Sequence, residues 1–362
     1  MKASSISSKE TNWAQQLRKG LVTTKQLAEH GFISKDTLDK YDEVKDNFDI
    51  RVPQAFVESL KQGNKALLKQ VIPTTEELFF LPEELEDPIG DEAWTPVEGI
   101  THRHPDRVLF KPTYLCGVYC RFCFRRYKVS NSNFNLSEET VEKAIQYIAD
   151  HPEIWEVIFT GGDPLTLTDK KLTSLFSHLN KISHVKVIRF HTRIPSVLPE
   201  RIHENLIKIL KNTNKSVWIS LHINSADEYS EDCKKAIALL ADSGIPLILQ
   251  TVLLKDVNDS VDDLTRLFRD SIQNKVKPYY LHYPDLAKGT DHFRIPLQHA
   301  LDIMKQLRRK ISGVCMPTFV VDIPGGHGKI PLESFHWVQI DANTWEFESI
   351  RERGRKILVR YP

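Results

Sequence analysis

The sequence predicts an α/β fold, a partial (β/α)6 barrel with a helical N-terminal extension and a short C-terminal one. Three observations predict it. From residue 106 onward, short apolar runs alternate with longer amphipathic ones about six times, as βα units around a parallel sheet require. Helix-start chemistry sits where that alternation asks for it: "SEET" and "DKKL" place capping residues ahead of apolar periodicity. The 362 residues are 41% hydrophobic, enough to bury a sizeable core. Six units are too few to close an eightfold barrel, so the sheet is expected to remain open.

Taken in order, residues from Asn12 to about Lys69 read as charged helix, with "TTKQLAEH" and "SKDTLDKY" offering Ser/Thr starts. The stretch "PTTEELFFLPEELEDPIGDEAWTP" has no regular period and reads as chain wrapping over a surface. The strands are expected in "RVLFKPT", "WEVIFTGG", "VKVIRFHT", "SVWISLHI", "PLILQTVLL" and "KPYYLHYP". Helices are expected in "SEETVEKAIQYIAD", "DKKLTSLFSHLNKI", "PERIHENLIKILKN", "SEDCKKAIALLADSG" and "SVDDLTRLFRDSI". This divides the chain into 1–95 (helices and wrapping connector), 96–332 (barrel) and 333–362 (C-terminal extension). "CGVYCRFC", "TGGDPL", "HTR", "LHINS", "QTVLLKDVND" and "HYPDLAKG" follow successive strands. They belong on one rim, at the C-terminal edge where chemistry gathers in such folds.

Lys and Arg total 49 and Asp and Glu 48, a net charge of +1, which gives no reason to expect nucleic acid or an acidic membrane as partner. No run of about 18 apolar residues appears, and the N-terminus lacks the apolar core of a signal peptide. Five cysteines, three of them within eight positions, argue against a disulfide framework and for reduced thiols in a cytoplasmic protein.

Those three are Cys116, Cys120 and Cys123. Three thiolates are one short of a closed tetrahedral zinc site and suit a metal centre with one open position. A loop of this spacing can hold three irons of a 4Fe–4S cluster, leaving the fourth free for a small molecule. Zinc with His102 or His104 as a further ligand is the rival, and three thiols packed as small hydrophobes is the plainest reading.

With Tyr119 before the second cysteine, the Cys loop resembles that of the radical S-adenosylmethionine superfamily, and "TGGDPL" (160–165) resembles that superfamily's second motif. The chain more specifically resembles the lysine 2,3-aminomutase family from about Arg51 to about Leu332. "THRHPDRVLF", "CGVYCRFCFRRY", "LHYPDLAKGTDHFRIPL" and "PTFVVDIPGGHGKIP" carry that resemblance, in the family's order and separation. It implies a radical-SAM partial barrel and an isomerase that interconverts L-lysine and β-lysine through a 5′-deoxyadenosyl radical. The implied cofactors are a 4Fe–4S cluster, S-adenosylmethionine and pyridoxal 5′-phosphate, and the electron donor a flavodoxin or ferredoxin.

Position by position, the resemblance implies Cys116, Cys120 and Cys123 as cluster ligands and Lys329 as the pyridoxal lysine. Arg103, His104 and Arg107 fall around pyridoxal phosphate, His104 where the family's best-known members carry Tyr. Gly161, Gly162, Asp163, His222 and Gln250 fall to the S-adenosylmethionine pocket, Arg125 to the substrate carboxylate, and Asp285 with Asp322 to the distal ammonium. Two carboxylates around one cation select against neutral or acidic side chains. "YYLHYPD" is closer to relatives that modify a lysine of elongation factor P, so that protein, or another cationic amino acid such as arginine, is the alternative substrate. Cys233 and Cys315 stand alone, so no zinc site is expected. The N-terminal helices offer a surface through which two copies can pair. A metal-binding regulatory module would need the cysteines but neither the lysine nor the carboxylate pair.

Overall fold

The structure is a computed structural model and describes residues 8–129, 134–332, 337–341, 344–348 and 354–360. Five helices come first: α1 (Ser8–Arg18), α2 (Thr24–Glu29), α3 (Leu38–Asn47), α4 (Gln54–Lys61) and α5 (Lys65–Val71). Thr23 and Gln26 close a capping box at the start of α2, and Asn64 caps α5 through the Leu67 N–H.

Nine strands then form one sheet in sequential order. They are β1 (Ile100–His104), β2 (Arg107–Thr113), β3 (Glu156–Gly161), β4 (Val187–Thr192), β5 (Ser216–His222), β6 (Leu247–Val252), β7 (Lys277–His282), β8 (Thr318–Ile323) and β9 (Gly328–Pro331). From β2 through β8 every neighbour pairs in parallel, while β1 and β9 fold back antiparallel at the two ends. The sheet curls into the expected partial barrel. All six expected strands are present, and β8 adds a seventh parallel one, which carries Asp322. Helices α6 (Glu138–Asp150), α7 (Asp169–Leu179), α8 (Ile194–Val197), α9 (Glu204–Lys211), α10 (Glu231–Asp242), α11 (Val261–Gln273) and α12 (Leu297–Lys310) are interleaved with the strands.

Local chemistry sets the helix starts. Ser137, Thr168, Ser230 and Ser260 each accept a backbone N–H of the first turn of α6, α7, α10 and α11. In "PERIHENLIKILKN" the helix begins later than expected, at Glu204. Pro199–Arg201 takes a 3-10 turn, and the His203 ring then accepts the Leu206 N–H at 3.2 Å.

The strands largely alternate between two faces, with register shifts in the β2–β3 and β6–β7 ladders. Phe110, Phe159 and Phe190 are fully buried. Their rings meet in sequence at 5.2 and 4.7 Å, and Phe190 stacks on Phe176 of α7 at 6.1 Å. Between these apolar positions stand Thr160, Arg189, His191, Ser220, His222, Gln250, Tyr280 and His282, which line a cavity inside the barrel. These polar side chains stand among apolar ones such as Ile158 and Val252, so the lumen is a mixed surface with chemically active groups at set positions.

Residues 337–360 contribute a separate antiparallel sheet of β10 (Trp337–Gln339), β11 (Thr344–Glu348) and β12 (Lys356–Arg360), which sequence patterning does not announce. Among the described residues, no helix is long and apolar enough to cross a membrane.

Candidate active site

The cavity measures about 560 Å³, and all fifteen residues singled out from the sequence line it, from Arg103 to Lys329. It opens where the parallel strands end. Asp163 follows β3, Arg193 follows β4, His222 ends β5, Asp285 follows β7, and Asp322 and Lys329 face each other across the β8–β9 ladder.

The Cys loop, which follows β2, is clasped from behind by the N-terminal extension. Tyr119 N–H donates to Arg51 O at 3.0 Å and Arg121 N–H to Gln70 O at 2.8 Å. The Arg121 guanidinium, 2% exposed, grips Glu77 through Nε and Nη2, at 3.0 and 2.6 Å. Arg126 donates to the same carboxylate and, at 2.9 Å, to Gly289 O. Glu77 is therefore buried between two guanidiniums. Burial alone would raise its carboxyl, but the charges of Arg121 and Arg126 hold it below the ordinary range. Arg126 is thus part of this clasp.

The clasp turns Cys116, Cys120 and Cys123 toward the cavity. Burial, and then the neighbouring Cys120, pushes the Cys123 thiol up to about 11, and burial with the nearby Asp163 also raises Cys116 well above the ordinary thiol range. Among the described residues, no three His, Cys, Asp or Glu side chains converge as a single ion requires. Three thiols on one cavity wall offer a multi-iron group three ligands and leave a fourth position open.

Asp163 accepts from Thr192 Oγ1 at 2.8 Å, Arg193 N–H at 2.7 Å and Leu165 N–H at 3.0 Å. Its carboxylate ties β3 to the end of β4, and burial lifts it to about 6 despite these donors. A Cβ on Gly162 would lie 2.5 Å from Leu115 O, so this glycine lets the Cys loop cross the strand end. Gly326, in the turn before β9, has φ of 81° and lies against the Trp94 indole, which a side chain there would strike.

At the β8–β9 corner, Lys329 Nζ donates to Asp322 Oδ2 at 2.6 Å, and His282 Nδ1 lies 3.8 Å from the same oxygen. Asp322 Oδ1 is buried without a partner. Burial opposes ionisation of Asp322, yet His282 and Lys329 hold its carboxyl well below the usual range. Asp285 is the opposite case. Burial and the neighbouring Asp322 push it up to about 7. Together they form an acidic corner with one ammonium already in it.

Arg125 donates through Nε and Nη2 to Asp91 Oδ2, at 3.1 and 2.7 Å, and through Nη1 to Thr160 Oγ1 at 3.3 Å. Asp91 thus fixes one edge of the guanidinium and leaves Nη1 on the cavity side. Sequence reading missed Asp91, which lies in the patternless connector and is 5% exposed. It also missed His191, whose Nε2 is buried and unpartnered like that of His222. Burial, with Arg189 near His191 and Arg193 near His222, lowers both imidazoles, His222 to about 3, so both are neutral hydrogen-bonding groups. His104 is likewise lowered by burial and by Arg107 and Arg103.

Residues 110–268 match the Radical SAM superfamily. The L-lysine 2,3-aminomutase of Fusobacterium nucleatum is 38% identical over 89% of this chain and 76% of its own length. The chain belongs to the lysine 2,3-aminomutase family. A second relative, the L-lysine 2,3-aminomutase of Clostridium subterminale, is 37% identical over 89% of this chain and 77% of its own length. The glutamate 2,3-aminomutase of Clostridioides difficile is 36% identical over 77% of this chain and 67% of its own length. Membership of the radical SAM superfamily implies a 4Fe–4S cluster and S-adenosylmethionine, and the three cavity-facing thiols fit such a cluster. Identities of 38% and 36% do not separate lysine from glutamate as substrate. The cavity must do so.

Proposed function

We propose that this member of the lysine 2,3-aminomutase family is an L-lysine 2,3-aminomutase, moving the amino group of free L-lysine from Cα to Cβ. The acidic corner carries the reading: Asp322 holds a primary ammonium at 2.6 Å and Asp285 stands beside it without a cation of its own. A lysine side chain ends in that same group. A glutamate side chain would bring a third carboxylate into a buried site, which costs several kcal/mol.

The family resemblance assigns the remaining roles, and the place of these residues on one cavity wall supports them. Cys116, Cys120 and Cys123 hold the cluster, and Gly161, Gly162, Asp163, His222 and Gln250 frame the S-adenosylmethionine pocket. Arg103, His104 and Arg107 surround pyridoxal phosphate, with Lys329 as its attachment point. The Arg103 Nε is buried and unpartnered, which fits an anionic group placed there. Bound together, these groups supply one-electron hydrogen abstraction and a ring that spreads an unpaired electron. Arg125 binds the substrate carboxylate through the face that Asp91 leaves open, and Asp285 and Asp322 bind the distal ammonium. With pyridoxal phosphate bound, Lys329 would hold that group rather than Asp322, which would leave the Asp322 carboxylate to the substrate ammonium. The barrel wall and the Cys loop hold these groups on one cavity, where orientation contributes to the rate.

The direct test offers L-lysine and L-glutamate in turn to the reconstituted enzyme under anaerobic conditions. Turnover of lysine with none of glutamate is expected. Equal turnover, or glutamate alone, would refute the assignment. Cleavage of S-adenosylmethionine with slow lysine turnover would move the substrate to a lysine within a protein such as elongation factor P.

Two further results are expected. Asp285 is largely protonated below about pH 7, and a neutral carboxyl no longer attracts an ammonium. Lysine affinity, read as 1/KM, should therefore be level above that pH and fall up to about tenfold per unit below it. In Asp285→Asn that limb should vanish and KM should be raised throughout; an unchanged limb would assign it to another group. Asp91→Asn, which loosens Arg125, should raise KM for lysine about tenfold, the worth of one charge-assisted hydrogen bond, with a smaller change in kcat. An unchanged KM would show that Arg125 needs no such support.

A further inference from the structure

We propose that Arg193 sets the reduction potential of the iron–sulfur cluster by donating a hydrogen bond to Cys120. The proposal rests on the reading of Cys116, Cys120 and Cys123 as cluster ligands. Arg193 follows β4, and its guanidinium is 6% exposed. Nη1 donates to Cys120 Sγ at 2.9 Å. The other edge is fixed, with Nη2 donating to Gln70 Oε1 at 2.7 Å and to Glu228 Oε2 at 3.0 Å, and Nε donating to Glu228 Oε2 at 3.3 Å.

Those anchors are themselves fixed. Glu228 accepts from Asn224 N–H at 2.9 Å and Ser196 Oγ at 3.2 Å, and Gln70 donates through Nε2 to Ala66 O at 3.0 Å. Asp163 holds the Arg193 backbone at 2.7 Å. The fork is thus pinned from α5, from the segment after β5 and from the end of β3, and the nitrogen left over is aimed at sulfur. An ion pair with Glu228 alone would need neither Gln70 nor the approach to Cys120. No other role in the proposed mechanism uses this side chain.

Hydrogen bonds and positive charge at ligand sulfurs favour the reduced cluster, which carries one more negative charge than the oxidised one. Reduction takes one electron from an external flavin or iron–sulfur donor, with no bond formed or broken in the protein. Arg193 therefore raises the midpoint potential and brings the cluster within reach of such a donor.

The test is an anaerobic redox titration, followed by electron paramagnetic resonance, of the reconstituted full chain without S-adenosylmethionine. Wild type is compared with Arg193→Gln and Arg193→Lys at equal iron content. The midpoint is expected to move to more negative potential in Arg193→Gln. It should move less in Arg193→Lys, which keeps the charge but cannot reach Glu228 and Cys120 together. If Arg193→Gln does not retain iron, Arg193→Lys decides alone. An unchanged midpoint in an iron-replete variant overturns the proposal, whether or not S-adenosylmethionine affinity falls. A wild-type chain that assembles no 4Fe–4S signal overturns the cluster reading instead, so the two failures are distinct.

Discussion

Cys120→Ala is expected to fold normally and to lose catalysis by about four orders of magnitude or more. Cys120 is only partly buried, so removal of its sulfur leaves little cavity and the barrel should keep its secondary structure. Two thiols cannot close a cage built for three, and without a cluster nothing delivers the electron that starts the reaction. Iron content, visible absorbance and S-adenosylmethionine cleavage after anaerobic reconstitution check this together. A Cys120→Ala protein that binds iron and turns over at the wild-type rate would remove the basis of the site assignment.

The largest effect on stability is expected at Glu77. Its carboxylate, fully buried, neutralises both Arg121 and Arg126. Glu77→Ala leaves two buried guanidiniums without a counter-charge and should cost about 3–5 kcal/mol. Urea unfolding would read this as a lower midpoint at nearly unchanged slope. Arg121 and Arg126 both lie in the Cys loop, so the same variant should take up iron more slowly. Because Glu77 is held below its ordinary value of 4.5, its contribution is complete above that value and is lost only as pH falls through the depressed one. A loss below about 1 kcal/mol would mean that water or another acid replaces it.

The barrel was legible because its signals are local. Apolar runs, Ser and Thr caps and rim segments all lie within a dozen residues of one another. Alternation inside the strands was less visible. Arg189 and His191 in "VIRFHT" already mark an inner polar face, and reading that period would have pointed to His191. The "PTFVVD" and "GKIP" segments were legible as motif and not as strands, since β9 has only four residues.

The supporting partners were not legible at all. Glu77 lies 44 residues from Arg121, and Gln70 lies 123 from Arg193. No periodicity encodes such pairings. They arise only when α5 and the patternless connector that follows it are laid against the Cys loop and the barrel rim. For that reason the residues lining the cavity could be listed from the sequence, while Asp91, Glu228, Gln70 and Glu77, which hold them in place, could not. The glycines show the same division. Gly162 was expected at a ligand pocket, and the structure shows it also admitting the Cys loop, as Gly326 admits the Trp94 indole.

The central claim is that an acidic corner and an arginine hold free lysine across this cavity for 1,2-amino migration. Lysine labelled with nitrogen-15 at the α-amine, incubated anaerobically with the reconstituted enzyme, S-adenosylmethionine and pyridoxal phosphate, tests it most directly. The account predicts β-lysine with the label on Cβ, formed by wild type and lost in Asp322→Ala. Label retained at Cα, with S-adenosylmethionine consumed, would contradict it.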